Sequence, residues 1–133
     1  MAETLLSIEY NRRDYHPPIP VLHIGLSRPG VRVPDVVIEA IIDTGADRTI
    51  LPLNILERIA APNTDRRNFY LRGITGERKR VDIYSVTFYL GILPIFGVRA
   101  VALESSEAII GRDVLNQLEI CLIGPAYTTE VQR

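Results

Sequence analysis

The sequence predicts an all-β fold, either a sandwich or a closed barrel, with one or two short helices. Apolar residues fall in many short runs, separated by glycine, proline and charged residues that favour turns. Two stretches show the three-to-four-residue apolar spacing of a helix. With 133 residues, of which 47% are apolar, the chain is long enough for one domain with a modest core. We therefore expect a single domain over residues 1–133, with an N-terminal arm at 1–20 and a C-terminal tail at 124–133.

The predicted strands are short and follow one another closely. They are 4–10, 21–26, 35–43, 48–51, 69–71, 81–90, 92–96, 98–103, 108–110 and 119–123. The third, 35–43, is almost continuously apolar, which predicts burial on both faces. Along 81–90 the apolar positions change parity between Ile83 and Val86, which predicts a β-bulge or a change of sheet.

Helices are predicted at 52–59 and 112–118, where the apolar residues lie on one helical face. Pro29-Gly30 indicates a turn within the loop at 27–34, and the polar residues 60–68 predict a second loop. Two glycines at 73–76 predict a tight hairpin tip. The polar tail at 124–133 is expected either to be disordered or to pair with another chain.

The composition excludes several classes of protein. A net charge of −1 gives no reason to expect binding to nucleic acid or to an anionic membrane. No apolar run approaches the roughly 20 residues that span a bilayer. Cys121 is the single cysteine and the N-terminus lacks a signal-like pattern, so we expect a reducing, cytoplasmic location. With only His16 and His23 beside it, no zinc cluster is expected, and we predict no metal or organic cofactor.

The stretch 41–47 (IIDTGAD) carries the chemistry. Two β-branched residues lead directly into Asp43, so a carboxylate stands at the end of an apolar strand. Thr44 offers a hydroxyl, and Gly45 lets another group approach the backbone closely. Two such loops face to face would hold two carboxylates that share one proton, because two like charges at that distance cannot both be ionised. Such a pair can act as general base on a water and as general acid on a leaving amine.

Three segments resemble the retropepsins, the retroviral-type aspartic peptidases. Residues 38–47 (IEAIIDTGAD) are similar to the active-site strand and loop of that family. Residues 108–115 (AIIGRDVL) are similar to its second signature, an apolar strand followed by Gly-Arg-Asp and a helix. Residues 73–76 (GITG) lie between the two, where the family has its flap. The resemblance extends over about residues 21–122, and it implies a closed retropepsin-like barrel with a flap hairpin.

The resemblance also implies a role for each matched residue. Asp43 would be the catalytic aspartate. Thr44 would lock the two active-site loops across a dimer axis, and Asp47 would hold the substrate backbone and pair with Arg112. Such an ion pair would satisfy a part-buried carboxylate through a bidentate guanidinium. The remaining implied residues are Gly45 and Ala46 in the active-site loop, and Arg48, Gly73, Ile74, Thr75 and Gly76 around the substrate.

The chain contains a single Asp-Thr-Gly, so activity would require a homodimer with the site on its two-fold axis. The implied function is a homodimeric aspartic endopeptidase acting on peptides or unfolded proteins. Thr75 and Arg48 depart from the residues common in retroviral enzymes, and both chain ends are longer. These departures favour a cellular or bacterial member over a viral one. A non-catalytic peptide-binding or assembly module with the same fold is the alternative.

Overall fold

The computed structural model describes residues 3–72 and 75–132. The strands are β1 (Thr4–Glu9), β2 (Val21–Ser27), β3 (Val36–Ile42), β4 (Ile50–Pro52), β5 (Asn63–Arg72), β6 (Arg78–Leu90), β7 (Leu93–Leu103), β8 (Ala108–Ile110), β9 (Glu119–Ile123) and β10 (Thr128–Gln132). The α-helices are α1 (Leu53–Arg58) and α2 (Arg112–Leu115), and a 3₁₀ helix spans Gly124–Ala126. The all-β prediction with short helices is confirmed.

Six strands form a closed barrel. They are hydrogen-bonded in the order β2, β3, β8, β4, β7 and β6, and a further pairing between β2 and β6 closes the ring. The closing pairing aligns Gly25 with Tyr89, and a side chain at Gly25 would collide with Pro34 and Tyr89. Among the described strands β5 is paired with β6 alone, so it extends the sheet beyond the barrel. The fold is thus a barrel from which one hairpin, formed by β5 and the first residues of β6 (78–81), projects.

The core fills the barrel interior. Its fully buried side chains come from strands on all sides and from α1, and they include Leu22, Ile24, Leu26, Leu51, Leu56, Val86, Phe88, Leu90 and Ile110. Burial of each such side chain contributes about 1.5–3 kcal/mol relative to exposure. Ile59 follows α1 and is also buried, so the predicted apolar face of this helix packs inward. No helix in the described ranges is long and apolar enough to cross a membrane.

The tail is not a disordered segment. Residues 128–132 form β10, which lies between β1 and β9 in a separate three-stranded sheet of the same chain. Both edges of β10 are therefore occupied by its own chain, and the prediction of disorder or of pairing with another chain was wrong. Thr129 and Val131 are buried, whereas their neighbours are not, so β10 has the alternating burial of a half-buried strand.

The structure also corrects the prediction for β3. It is not buried on both faces, because Val37 is 68% exposed and Glu39 is exposed as well. At the parity change in β6, the pairing with β5 does shift register, because Asn63 lies opposite Tyr84 and Asp65 opposite Ile83. Val81 and Ile83 belong to a small cluster outside the main core, whereas Val86 faces the main core. On the other side, pairing with β7 stays in register through Val86 and shifts between Val86 and Phe88.

Three further boundaries differ from the prediction. Residues 63–68, expected to be loop, belong to β5, since their backbone pairs with β6. The strands expected at 92–96 and 98–103 form one strand, β7, that passes through Gly97. The second helix is shorter than the predicted 112–118 and spans Arg112–Leu115.

Candidate active site

The Asp43 loop begins where β3 ends. β3 runs parallel to β8 with Ile42 opposite Ile110, and the Asp43 amide continues this ladder by donating to the Ile110 carbonyl at 3.1 Å. The chain then turns. The Ala46 amide donates to the Asp43 carbonyl at 3.2 Å, and the Gly45 amide donates to Asp43 Oδ1 at 2.9 Å. The hydrogen bond from Gly45 fixes the Asp43 carboxylate within the turn. Because Asp43 is only half-buried, it still reaches solvent.

Arg112 ties this loop to the second signature. Its Nη1 donates to the Thr44 carbonyl at 2.7 Å, and its Nη2 forms an ion pair with Asp47 Oδ1. The structure therefore brings together the predicted pair. However, the Asp47 side chain is 86% exposed, so the expectation of a part-buried carboxylate was wrong. An exposed ion pair contributes about 0–1 kcal/mol to stability, and its main effect is to orient the loop.

Gly111 of the second signature packs closely against the backbone of residues 46–48. A Cβ at this position would lie 2.5 Å from the Arg48 carbonyl carbon and 2.9 Å from the Ala46 oxygen. The next amide, that of Arg112, donates to the same Ala46 oxygen at 2.9 Å. The backbone of Gly111 is extended, with φ −91°, so glycine is required here for space and not for conformation.

Thr49 and Asp113 hold the other end of the loop, and the sequence interpretation gave neither a role, although Asp113 belongs to the second signature. Thr49 is fully buried, and its hydroxyl donates to Asp113 Oδ1 at 2.8 Å and accepts from the Gly111 amide at 3.2 Å. The same carboxylate oxygen accepts from the Val114 amide at 3.0 Å, at the start of α2. In the sequence, the position of the Asp113 carboxylate in the first turn of a predicted helix also indicated a structural role for it.

A cleft of about 740 Å³ lies beside the loop. It is lined by Gly45, Ala46, Asp47, Arg48, Ile50, Tyr70, Glu77, Arg78, Lys79 and Leu103. Four of the predicted site residues are therefore among those that line it, the consecutive residues 45–48. The part of the chain that is described holds no cluster of three His, Cys, Asp or Glu side chains placed to bind a metal ion.

The predicted flap residues divide into two pairs. Gly73 and Ile74 lie outside the described residues. Thr75 is exposed, and its hydroxyl donates to Glu77 Oε1 at 2.7 Å, whereas Gly76 has a φ of +86° that favours glycine. Neither residue lines the cleft in this structure. The strands β5 and β6 lead to and from this tip, with Arg72 opposite Arg78, so the predicted hairpin is present up to its described ends.

Comparisons with known proteins agree with the fold and the motifs. The sequence profile of a family described as retroviral aspartyl protease matches residues 17–123. The structure is similar to a retropepsin-like aspartic protease from Rickettsia conorii, with a TM-score of 0.66 and 14% identity over 99% of this chain and 94% of that one. It is also similar to the EIAV protease complexed with the inhibitor HBY-793, with a TM-score of 0.60 and 20% identity over 83% of this chain and 93% of that one. A comparison with curated protein sequences finds no match.

At these identities the two solved structures establish the fold alone, and it is the retropepsin fold that the motifs predicted. The profile covers most of the chain, including both signatures. We conclude that the chain belongs to the retroviral aspartyl protease family and is an aspartic endopeptidase.

Proposed function

We propose that two copies of this chain form a homodimer that hydrolyses peptide bonds. The scissile bond would be held between two Asp43 carboxylates, one from each copy. The observation that carries this proposal is the environment of Asp43. Within the described ranges, its carboxylate has one recorded hydrogen bond, from the Gly45 amide, and it remains accessible. A single accessible carboxylate on a fixed loop is half of an acid–base pair, and a two-fold axis supplies the other half.

The pair would work through one shared proton. Two carboxylates side by side hold one proton between them, since both cannot be ionised. The ionised Asp43 takes a proton from water as the water oxygen bonds to the scissile carbonyl carbon, and the protonated Asp43 hydrogen-bonds to the carbonyl oxygen. Proton transfer to the nitrogen and cleavage of the C–N bond then release an amine and a carboxylic acid.

The remaining loop residues would position the two copies and the substrate. Thr44 is exposed and its carbonyl is held by Arg112, so its side chain is available to the same loop of a second copy. Residues 45–48 line the cleft, where an extended peptide would lie against them. The hairpin formed by β5 and β6 would close over this peptide and exclude water, as a substrate lid does in other enzymes.

The test is the substitution Asp43→Asn, which keeps the size of the side chain and removes its ability to exchange a proton. We expect cleavage of an unfolded protein, read by mass spectrometry of the new termini, to fall by at least about 10³-fold. The melting temperature and the sedimentation coefficient should stay the same. Asp35→Asn, the same change on an exposed residue before β3, should leave cleavage at its normal rate.

Two outcomes would contradict the proposal. Undiminished cleavage by the Asp43→Asn protein would show that another group performs the chemistry. A verified dimer of the unaltered chain that releases no new termini from acidic to neutral pH would favour the alternative, a peptide-binding module with the same fold.

A further inference from the structure

The walls of the cleft carry an excess of positive charge. Arg48, Arg78 and Lys79 line it, together with the carboxylates of Asp47 and Glu77. The charge of Asp47 is matched by its ion pair with Arg112, which is not itself a lining residue. The hairpin side of the cleft therefore presents two adjacent cations, Arg78 and Lys79, against the single carboxylate of Glu77.

Below these cations the cleft is apolar. Lys79, Val81 and Ile83 are alternate residues of β6 and so share one face of the strand. Val81 and Ile83 pack in the small cluster that also contains Ile50 and Leu103, and the last two line the cleft. Lys79 is exposed and continues this row toward the hairpin tip. A side chain that lies along the cleft would thus contact the aliphatic surface of Ile50 and Leu103 and, toward the hairpin tip, the ammonium group of Lys79.

Arg78 is held at the cleft by Tyr70. Its guanidinium carbon lies 5.2 Å from the centroid of the Tyr70 ring, a cation–π distance, and Tyr70 also lines the cleft. Tyr70 is 48% exposed, so this pair forms part of the open wall. The contact limits the freedom of a long side chain and leaves its N–H groups available to an anion.

We infer that the cleft selects peptides that carry a glutamate at one fixed position near the scissile bond. The two methylenes of glutamate would lie on Ile50 and Leu103, and its carboxylate would bind Lys79, while Arg78 adds to the positive charge of the same wall. This inference rests on the proposed proteolysis and specifies its substrate class. An ion pair at this exposure is screened by salt, so the selectivity should fall as ionic strength rises.

The first experiment compares matched peptides. Termini released from an unfolded protein give a cleaved sequence, from which peptides with glutamate or glutamine at each position around the cut are made. The comparison is made at about pH 6, where glutamate is ionised. We expect kcat/KM of the best glutamate peptide to be about two- to fivefold higher than that of the otherwise identical glutamine peptide. Equal rates for both peptides at every position would overturn the inference while leaving the proteolysis intact.

The second experiment assigns the preference to its residue. Lys79→Gln should reduce the glutamate-to-glutamine ratio toward one, and Lys79→Glu should invert it in favour of glutamine. Arg80→Gln is the matched control, since Arg80 is the next residue of β6 and does not line the cleft. A ratio that survives both Lys79 substitutions, or that falls equally with Arg80→Gln, would contradict the assignment.

A binding measurement separates this inference from the proteolysis. In the Asp43→Asn protein, fluorescence anisotropy of labelled peptides reports recognition without cleavage. We expect tighter binding of the glutamate peptide, by a similar factor, and loss of the difference with Lys79→Gln added. If the chain does not cleave peptides at all, the same measurement on the unaltered protein, with arbitrary peptides that differ only by glutamate or glutamine at one position, still decides whether the cleft prefers glutamate.

Discussion

The loop that carries Asp43 and the hairpin that faces it are built in opposite ways. The loop is tied down at both ends, by the parallel pairing of Ile42 with Ile110 and by the buried Thr49 hydroxyl. Arg112 holds its middle. Within the described part of the chain the outer edge of β5 is unpaired, because β5 pairs with β6 alone, and residues 75–80 are all exposed. One wall of the cleft is thus preorganised, and the other has little tertiary support.

The difference matches the work that the two walls would do. Acid–base chemistry needs a carboxylate fixed within a fraction of an ångström, since a misplacement of about 1 Å can reduce the rate 10²-fold. A wall that admits and releases a peptide must instead move at low cost in free energy. The substitutions below test whether damage to the loop and damage to the hairpin have different consequences.

The largest effect is expected from Gly111→Ala. The added Cβ would lie 2.5 Å from the Arg48 carbonyl carbon, which is too close for either backbone to stay in place. We expect the free energy of unfolding to fall by about 1–3 kcal/mol and kcat to fall by about 10²-fold. Chemical denaturation and peptide cleavage at saturating substrate measure the two quantities.

Gly124→Ala is the matched control for this substitution. No heavy atom lies within 4 Å of a Cβ built at Gly124, so this change should leave stability and kcat nearly unaltered. Normal kcat in the Gly111→Ala protein would show that the loop is more adaptable than its contacts suggest.

The next effect is expected from Thr49→Val, which removes a hydroxyl and keeps the shape of the side chain. The substitution leaves the Gly111 amide and the Asp113 carboxylate without their shared partner. A buried group left unpaired costs about 1–3 kcal/mol, so the free energy of unfolding should fall by about that amount. Circular dichroism during urea unfolding gives the value.

Thr129→Val makes the same change in the second sheet. Thr129 is also fully buried, but its hydroxyl has no hydrogen-bond partner within the described chain. Its removal should leave stability unchanged or raise it. Equal losses for the two substitutions would mean that the Thr49 hydrogen bonds do not support the loop.

The Asp43 loop could be predicted from the sequence far better than the side chains that hold it in place or the hairpin that faces it. An apolar run that ends in Asp43, Thr44 and Gly45 is a local signal, and two short motifs identified the family. The contact between Thr49 and Asp113 joins residues 64 positions apart and leaves no periodic trace. The exposure of the Asp47 side chain could not be predicted from the sequence either, because it depends on what surrounds the loop once it is folded.

The hairpin was only partly predicted, for a physical reason. Residues 63–68 are polar and belong to an arm that projects from the barrel, so they show no alternation of apolar and polar residues. Their backbone pairs with β6, with Asn63 opposite Tyr84. Patterns of hydrophobicity report burial, and backbone pairing leaves no such pattern in a polar segment.

The smallest effect on stability is expected from Gly76→Ala at the hairpin, where the change should appear mainly in KM. Gly76 has a φ of +86° with no atom within 4 Å of an added Cβ, so the penalty is conformational, about 1 kcal/mol. Gly30→Ala is the control, because Gly30 has a φ of +87° and equally open surroundings in the loop after β2. Both proteins should melt at similar temperatures, and only Gly76→Ala should raise KM, since only that strain bears on the wall that closes over the peptide. An identical KM in the two proteins would show that the hairpin does not contribute to substrate binding.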